Sequence, residues 1–271
     1  MQGRVLVVAG SDSGGGAGIQ ADIKTVTCLG GFAATAVTAL TAQNTQGVFG
    51  ISEVAPDFVR LQMEVVLRDI GADCIKTGML ASAAIVEAVA EALDRFAPGV
   101  PLVLDPVMVA KGGAALLADS AAGALIGRLL PRARLLTPNI PEAEALLGRS
   151  IAGLADMERA VVDLLGLGPK AVLLKGGHME GDDLVDLLAD AAGLRRFTDR
   201  RIASRSTHGT GCTLASAIAA GLAQGLALDA AVARARDYVR KAIETAPGLG
   251  SGHGPLNHGW TVDKAGMERS D

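Results

Sequence analysis

The chain is short of cysteine and of excess positive charge, and each shortage closes a class of function. Cys28, Cys74 and Cys212 are the three cysteines among 271 residues. They are odd in number and contain no Cys-x-x-Cys pair, which argues against a disulfide framework or a zinc cluster. A reducing, cytoplasmic setting is the expectation. Lys and Arg total 25 against 29 Asp and Glu, a formal net charge of -4. That balance supplies no global basic field for nucleic acid. An anionic ligand would have to be held by local backbone N–H groups and single Lys or Arg side chains, with a divalent cation. Long apolar runs are missing too. Val5–Ala9 is too brief for the core of a signal peptide. No uninterrupted apolar segment is long enough to span a bilayer. The pattern Gly-x-x-x-x-Gly-Lys-[Ser/Thr] is absent, so no P-loop nucleotide site is indicated.

What the chain does have is apolar side chains, 49% of the total. That is enough for a sizeable core without disulfides. Strands are expected at Val5–Ala9, Ala36–Leu40, Cys74–Thr77, Leu102–Leu104, Leu135–Thr137 and Ala171–Lys175. Helical runs fall between them at Gly18–Leu29, Asp57–Ile70, Ala83–Phe96, Ser120–Leu130, Glu142–Leu147 and Met157–Leu165. This alternation predicts an α/β fold with a mostly parallel sheet covered by helices on both faces. After Lys175 the rhythm changes. Leu184–Leu188 and Leu194–Phe197 read as a hairpin, followed by helices at Thr213–Gln224 and Asp229–Glu244. No composition break marks a linker. Residues 1–260 are expected to form one domain, and 261–271 a flexible C-terminal tail.

In such sheets ligands bind beyond the carboxyl ends of the strands. Polar or Gly-rich groups recur there: Gly10-Ser11-Asp12, Thr41-Ala42-Gln43-Asn44, Lys76-Thr77-Gly78, Asp105-Pro106, Thr137-Pro138-Asn139 and Lys175-Gly176-Gly177. The most telling stretch is Ser206-Thr207-His208-Gly209-Thr210-Gly211-Cys212, just before an apolar helix. Gly209 and Gly211 allow a sharp turn and close approach. The helix start leaves N–H donors for an anion, most often a phosphate. Cys212 stands where a helix N-terminus can lower a thiol pKa. A buried, inert cysteine is the simpler alternative.

The remaining motifs each carry two readings. Gly10–Gly18 is a Gly-rich turn that admits a small ring or hydroxyl, or a plain βα connection. Its Gly16–Ala21 portion matches a loose dinucleotide fingerprint, but no acidic residue closes the next strand. Asp22 and Gln43 would suit an amino-substituted nitrogen ring, since an amide offers donors and an acceptor. Asp22 alone reads as a solvated helix residue. Asn139-x-x-Glu142 offers oxygen ligands to Mg²⁺, with Asp105 as a further donor. The same residues read more simply as a capping box and a turn-forming Asp-Pro. Lys175 would neutralise phosphate oxygens, or is a surface lysine beside a turn. His178, His208, His253 and His258 are too scattered to propose a metal site.

Taken together, Ala9–Thr25, Thr38–Asn44, Lys76-Thr-Gly-Met-Leu80, Asp105–Lys111, Thr137–Ala143, Lys175–His178 and Ser206–Cys212 resemble one family. It is the hydroxymethylpyrimidine/phosphomethylpyrimidine kinase family of thiamin biosynthesis, within the ribokinase superfamily. The resemblance runs from about Val5 to Trp260. It implies a ribokinase-like three-layer α/β/α fold, a homodimer, and two successive phosphorylations of the pyrimidine by ATP and Mg²⁺. Gln43 would pair with the pyrimidine edge, while Asp22, Met79, Gly10, Ala17 and Val107 complete that pocket. Lys175, Thr207, Asn139 and Gly209 would serve ATP. Asp105, Asn139 and Glu142 would serve the metal. Gly209, Thr210 and Gly211 form the anion turn, and Cys212 stands where many superfamily members carry a catalytic Asp. One departure is that Lys111 is followed by Gly112-Gly113-Ala114 rather than Ser-Gly-Asp. The alternatives are a pyridoxal kinase, a non-catalytic nucleotide- or pyrimidine-binding regulator and, least favoured, a nicotinamide-dependent oxidoreductase.

Overall fold

The computed structural model describes residues 2–108, 119–179 and 181–262. The expected 261–271 tail and the Lys111 loop therefore fall almost wholly outside the described residues. Among the described residues nine strands form one sheet: β1 (Arg4–Asp12), β2 (Phe32–Gln43), β3 (Val48–Glu53), β4 (Cys74–Thr77), β5 (Leu102–Leu104), β6 (Leu135–Leu136), β7 (Ala171–Leu174), β8 (Asp183–Asp190) and β9 (Gly193–Arg200). Their spatial order is β3-β2-β1-β4-β5-β6-β7-β8-β9. The central pairs are parallel. The edge pairs β2–β3, β7–β8 and β8–β9 are antiparallel. From β1 the chain goes first to β2 on one side and later to β4 on the other. That reversal leaves a crevice at the carboxyl ends, where such sheets bind ligands.

Two apolar layers fix the sheet. Leu6 and Val8 face one core, which includes Val59 and Met63 of α2 (Pro56–Asp69) and Ile85 and Val89 of α3 (Ala83–Phe96). Val5 and Val7 face the other, with Val26 of α1 (Gly18–Cys28) and residues of the two C-terminal helices. A strand buried on both faces has no polar alternation, so β1 reads as a continuous apolar run. Each such Val or Leu contributes roughly 1.5–3 kcal/mol by leaving water.

Most expected elements are present, with three corrections. The strand β3 was not expected. Five of its six residues are exposed, so neither burial nor a clean alternation marks it. The run expected as Ser120–Leu130 is instead α4 (Asp119–Ala124), a π-helical turn at Leu125–Leu129 and a 3-10 turn at Leu130–Arg132. Pro131 lacks the N–H that a continuing α-helix would need. The helices expected from Thr213 and Met157 each start three residues earlier, as α7 (Thr210–Ala223) and α6 (Leu154–Leu165). The other helices are α5 (Ile140–Leu147) and α8 (Leu228–Glu244). Among the described residues no helix is long and apolar enough to cross a membrane.

The C-terminal turn adds a pH-dependent contact. His258 is buried, with Nε2 3.0 Å from the Thr213 hydroxyl. Burial, helped by the charge of Lys24, lowers its pKa to about 4. The folded protein refuses a proton that the unfolded chain accepts below about pH 6.5. Stability from this group is complete above that value and is lost as pH falls toward about 4. The unfolding free energy read from urea titrations should drop across that window, by up to about 3 kcal/mol for this residue. His258→Gln should flatten the dependence.

Candidate active site

At the carboxyl ends of β1, β4 and β5 lies a cavity of about 370 Å³. Its wall includes Gly10, Ala17, Gln43, Met79 and Val107, the residues expected around a small ring. The loop after β1 is built on Asp12. Its carboxylate accepts from the N–H groups of Gly14, Gly16 and Ala17 at 2.8, 3.1 and 2.8 Å. It also lies 2.8 Å from His208 Nε2. A carboxylate that only accepts assigns the hydrogen of that contact to the ring. Burial pushes Asp12 up, but the hydrogen bonds from His208 and the loop N–H groups outweigh it and hold Asp12 below the usual carboxylate range. The same ring nitrogen lies 3.2 Å from Gln43 Nε2. Asp12 and His208 thus brace the loop beside Gln43, a role that sequence reasoning missed. The available signal was an acidic residue two positions before a glycine run.

The floor of the cavity is the first turn of α7. Gly209 is its N-cap with φ of +82°, and a Cβ there would fall 1.8 Å from the Gly16 carbonyl. Only glycine meets both demands. The first intrahelical bond runs from Thr213 N to Gly209 O. The N–H groups of Thr210, Gly211 and Cys212 precede it and have no intrahelical acceptor. They form the cradle expected for an anion.

Charge is supplied from three strand ends. Lys175, just after β7, sits 3.0 Å from Asp105 Oδ1 with its side chain 12% exposed. Burial works against its charge, yet Asp105 and Glu142 prevail and raise its pKa. Asn139 and Glu142 form a reciprocal capping box at the start of α5, which uses Asn139 Oδ1 and Glu142 Oε2 and does not engage Glu142 Oε1. Burial pushes the Glu142 carboxyl up to about 7. Lys175 opposes the rise and Asp105 adds to it. Glu142 still borders the cavity with Asp105, Asn139 and Lys175.

Two expectations are corrected here. Asp22 does not line the cavity, nor is it solvated. It is fully buried beneath the floor, paired with Lys76. Helix α1 turns it toward the sheet, where a carboxylate needs a partner. Cys212 does line the cavity and is half-buried, but its thiol is not lowered. Burial pushes it up to about 11. Lys76 opposes the rise, and Asp22 and Asp105 reinforce it.

A second cavity, of about 580 Å³, opens on the other side of the turn. Leu184, Ile202, Leu214, Val239 and Ile243 give it an apolar lining, with Arg201 and Arg240 at its border. It shares Asn139, Lys175, His178, Thr207, Thr210 and Gly211 with the first. Sequence reasoning did not identify the apolar lining, because Leu214, Val239 and Ile243 look like ordinary helix core.

Two chambers meeting at one helix end with open N–H groups, on this sheet, are the arrangement of a ribokinase-like α/β protein. Known proteins narrow that class. The family described as phosphomethylpyrimidine kinase matches residues 12–257, and the chain belongs to it. It is 55% identical over 257 residues to a thiamine biosynthesis bifunctional protein of Geobacter sulfurreducens. That match covers 95% of this chain and 52% of the longer relative, so the chain spans about half of that protein. It is 49% identical to a hydroxymethylpyrimidine/phosphomethylpyrimidine kinase of Streptomyces coelicolor, over 95% of both chains. The solved pyridoxal kinase of Staphylococcus aureus, in complex with AMP-PCP and pyridoxal, is similar at TM-score 0.87 and 33% identity. The alignment covers 96% of this chain and 94% of that one. The protein is therefore a kinase, not a non-catalytic regulator or an oxidoreductase.

Proposed function

We propose that this chain transfers the γ-phosphoryl group of ATP to the primary alcohol of 4-amino-5-hydroxymethyl-2-methylpyrimidine. It then transfers a second group to the phosphate of that product, for thiamine biosynthesis. The observation that carries this reading is the junction of two cavities at Gly211 and Lys175. One chamber has the size and amide wall for a small amino-ring. The other has the apolar walls for a nucleotide base.

In the first transfer the alcohol oxygen bonds to the γ-phosphorus as the bond to the β–γ bridging oxygen breaks. ADP leaves. The hydroxyl proton passes to the Cys212 thiolate. The N–H groups of Thr210–Cys212 and the Lys175 ammonium take the charge on the transferring group, the main need of phosphoryl transfer. In the second transfer the acceptor oxygen is already ionic, so no proton acceptor is required.

A magnesium ion fits the donor set at Asp105, Glu142 and Asn139. Among the described residues no group of three or more His, Cys, Asp or Glu could hold a metal. Two carboxylates suit a Mg²⁺ that keeps its waters and phosphate oxygens, rather than a protein cage. When bound, the ion would screen the negative charge of the nucleotide phosphates.

Incubation with ATP and hydroxymethylpyrimidine tests the reading by product mass. One added phosphoryl group, then two, supports it; an unmodified pyrimidine contradicts it. Gln43→Leu is expected to raise KM for the pyrimidine about tenfold or more, since it strips a buried site of its polar partner. KM for ATP should hold. Steady-state titration of each substrate reads both. The likeness to pyridoxal kinase favours a second reading, a pyridine alcohol in the same chamber.

We further infer that residues 1–260 act as one domain in a cytoplasmic homodimer. Phe49 and Ile51 are exposed on the edge strand β3, and Phe58, Leu61 and Val65 form an exposed stripe on α2. An unpaired edge beside an apolar helix face is a surface that proteins cover. A second copy of the chain is the occupant. Leu61→Glu with Val65→Glu should halve the mass seen by light scattering at micromolar protein. An unchanged mass would contradict this interface.

A further inference from the structure

Beneath the anion-binding turn lies a charged pair that the two transfers above do not use. Lys76 on β4 and Asp22 on α1 have no exposed side-chain surface. Lys76 Nζ stands 3.0 and 2.9 Å from the two Asp22 oxygens. The Ser216 hydroxyl donates to Asp22 at 2.6 Å. Ser216 follows Cys212 by four residues on α7, so the two share a helix face. Lys76 also borders the acceptor cavity alongside Cys212. A Cβ on Gly78 would come within 3.0 Å of its ammonium, so the lysine is closely walled. A buried pair of this kind is weak support for a fold. Apolar side chains of similar volume often serve stability as well or better.

We propose that Lys76 is a positioning residue for the transfer. Its buried ammonium, fixed by Asp22 and Ser216, is the counter-charge that lets Cys212 accept the hydroxyl proton. This rests on the reading of Cys212 as proton acceptor. The charged groups that act on Cys212 are Lys76, Asp105 and Lys175, which line the same cavity, and Asp22, which is paired with Lys76. Burial is what raises the thiol. Lys76 is the strongest opposing influence, and the Gly18 N–H adds to it. Asp22 favours the thiol form, so its part is to hold Lys76 charged in a place without water. Burial acts against the Lys76 charge, but Asp22, Cys212 and Asp105 hold its pKa above the ordinary value.

The test reads thiol reactivity itself. Iodoacetamide alkylation of Cys212 would be followed across about pH 6 to 10 by mass spectrometry of its peptide. The proteins are wild type, Lys76→Met and the double variant Asp22→Asn with Lys76→Met. The double variant leaves no unpaired buried charge, so it keeps the test open should the single variant fail to fold. Both variants are expected to alkylate about tenfold more slowly at a given pH, with the profile moved up by about one unit. Transfer to the alcohol should slow in step, with KM for ATP unchanged. A pair that merely supports the floor would, when lost, loosen it and speed alkylation. Unchanged or faster alkylation overturns the proposal. Alkylation does not depend on which alcohol is phosphorylated, so that outcome leaves the kinase reading standing. Absence of phosphoryl transfer by the wild type would instead overturn the reading itself.

Discussion

Cys212→Ala is expected to slow transfer to hydroxymethylpyrimidine by about 10²–10⁴-fold, the usual worth of a positioned general base. Transfer to the monophosphate should fall far less. The alcohol must lose a proton as its oxygen bonds to phosphorus, whereas the phosphate acceptor already carries its charge. Single-turnover rates with each acceptor under saturating ATP measure the two separately. Equal losses would remove Cys212 from the proton-transfer role and leave it a wall of the cavity. The pH dependence has a definite sign. With the thiol pushed up to about 11, the thiolate fraction grows about tenfold per pH unit below that value. The first transfer by wild type should therefore accelerate as pH rises through neutrality. The alanine variant should lose that dependence.

Lys175→Met should show the opposite pattern, with both transfers falling together by roughly 10²–10³-fold. Lys175 does not distinguish an alcohol from a phosphate. It stands just after β7 and 3.0 Å from Asp105, where the proposed mechanism has it meet the phosphoryl group that both reactions move. Its loss also strands Asp105 and Glu142 without their nearest cation. Glu142, already at about 7, should rise further. The measurement is kcat for both acceptors at matched pH. A variant with normal kcat and raised KM for ATP would make Lys175 a nucleotide-binding group only. The contrast between the two variants matters more than either loss alone. One residue separates the acceptors and the other does not.

Both groups were legible in the sequence because chemistry follows strand ends. Gly10, Lys76, Asp105, Asn139 and Lys175 lie at or just beyond strands, and a parallel sheet gathers such positions on one edge. The turn at Gly209–Cys212 was legible for a similar reason. Glycine spacing at a helix start has few other uses, and Gly209 does take a positive φ. Asp22 was misread because nothing local shows which face of α1 meets Lys76, 54 positions away. The Cys212 environment was hidden in the same way. A helix end alone lowers a thiol, but here burial and two carboxylates from distant segments outweigh it. Strand β3 escaped because an exposed edge strand needs no apolar alternation. The lining of the second cavity escaped for the opposite reason. Leu214, Val239 and Ile243 have the pattern of a helix core, and only the packing shows that they border a chamber.

The central claim is that one chamber takes the pyrimidine alcohol and its phosphate in turn. The most direct measurement is kcat/KM for hydroxymethylpyrimidine, its monophosphate and pyridoxal, assayed in parallel with ATP on the same preparation. The prediction is transfer to both pyrimidines, each at higher kcat/KM than pyridoxal. A higher kcat/KM for pyridoxal, or failure to phosphorylate the monophosphate, would contradict it.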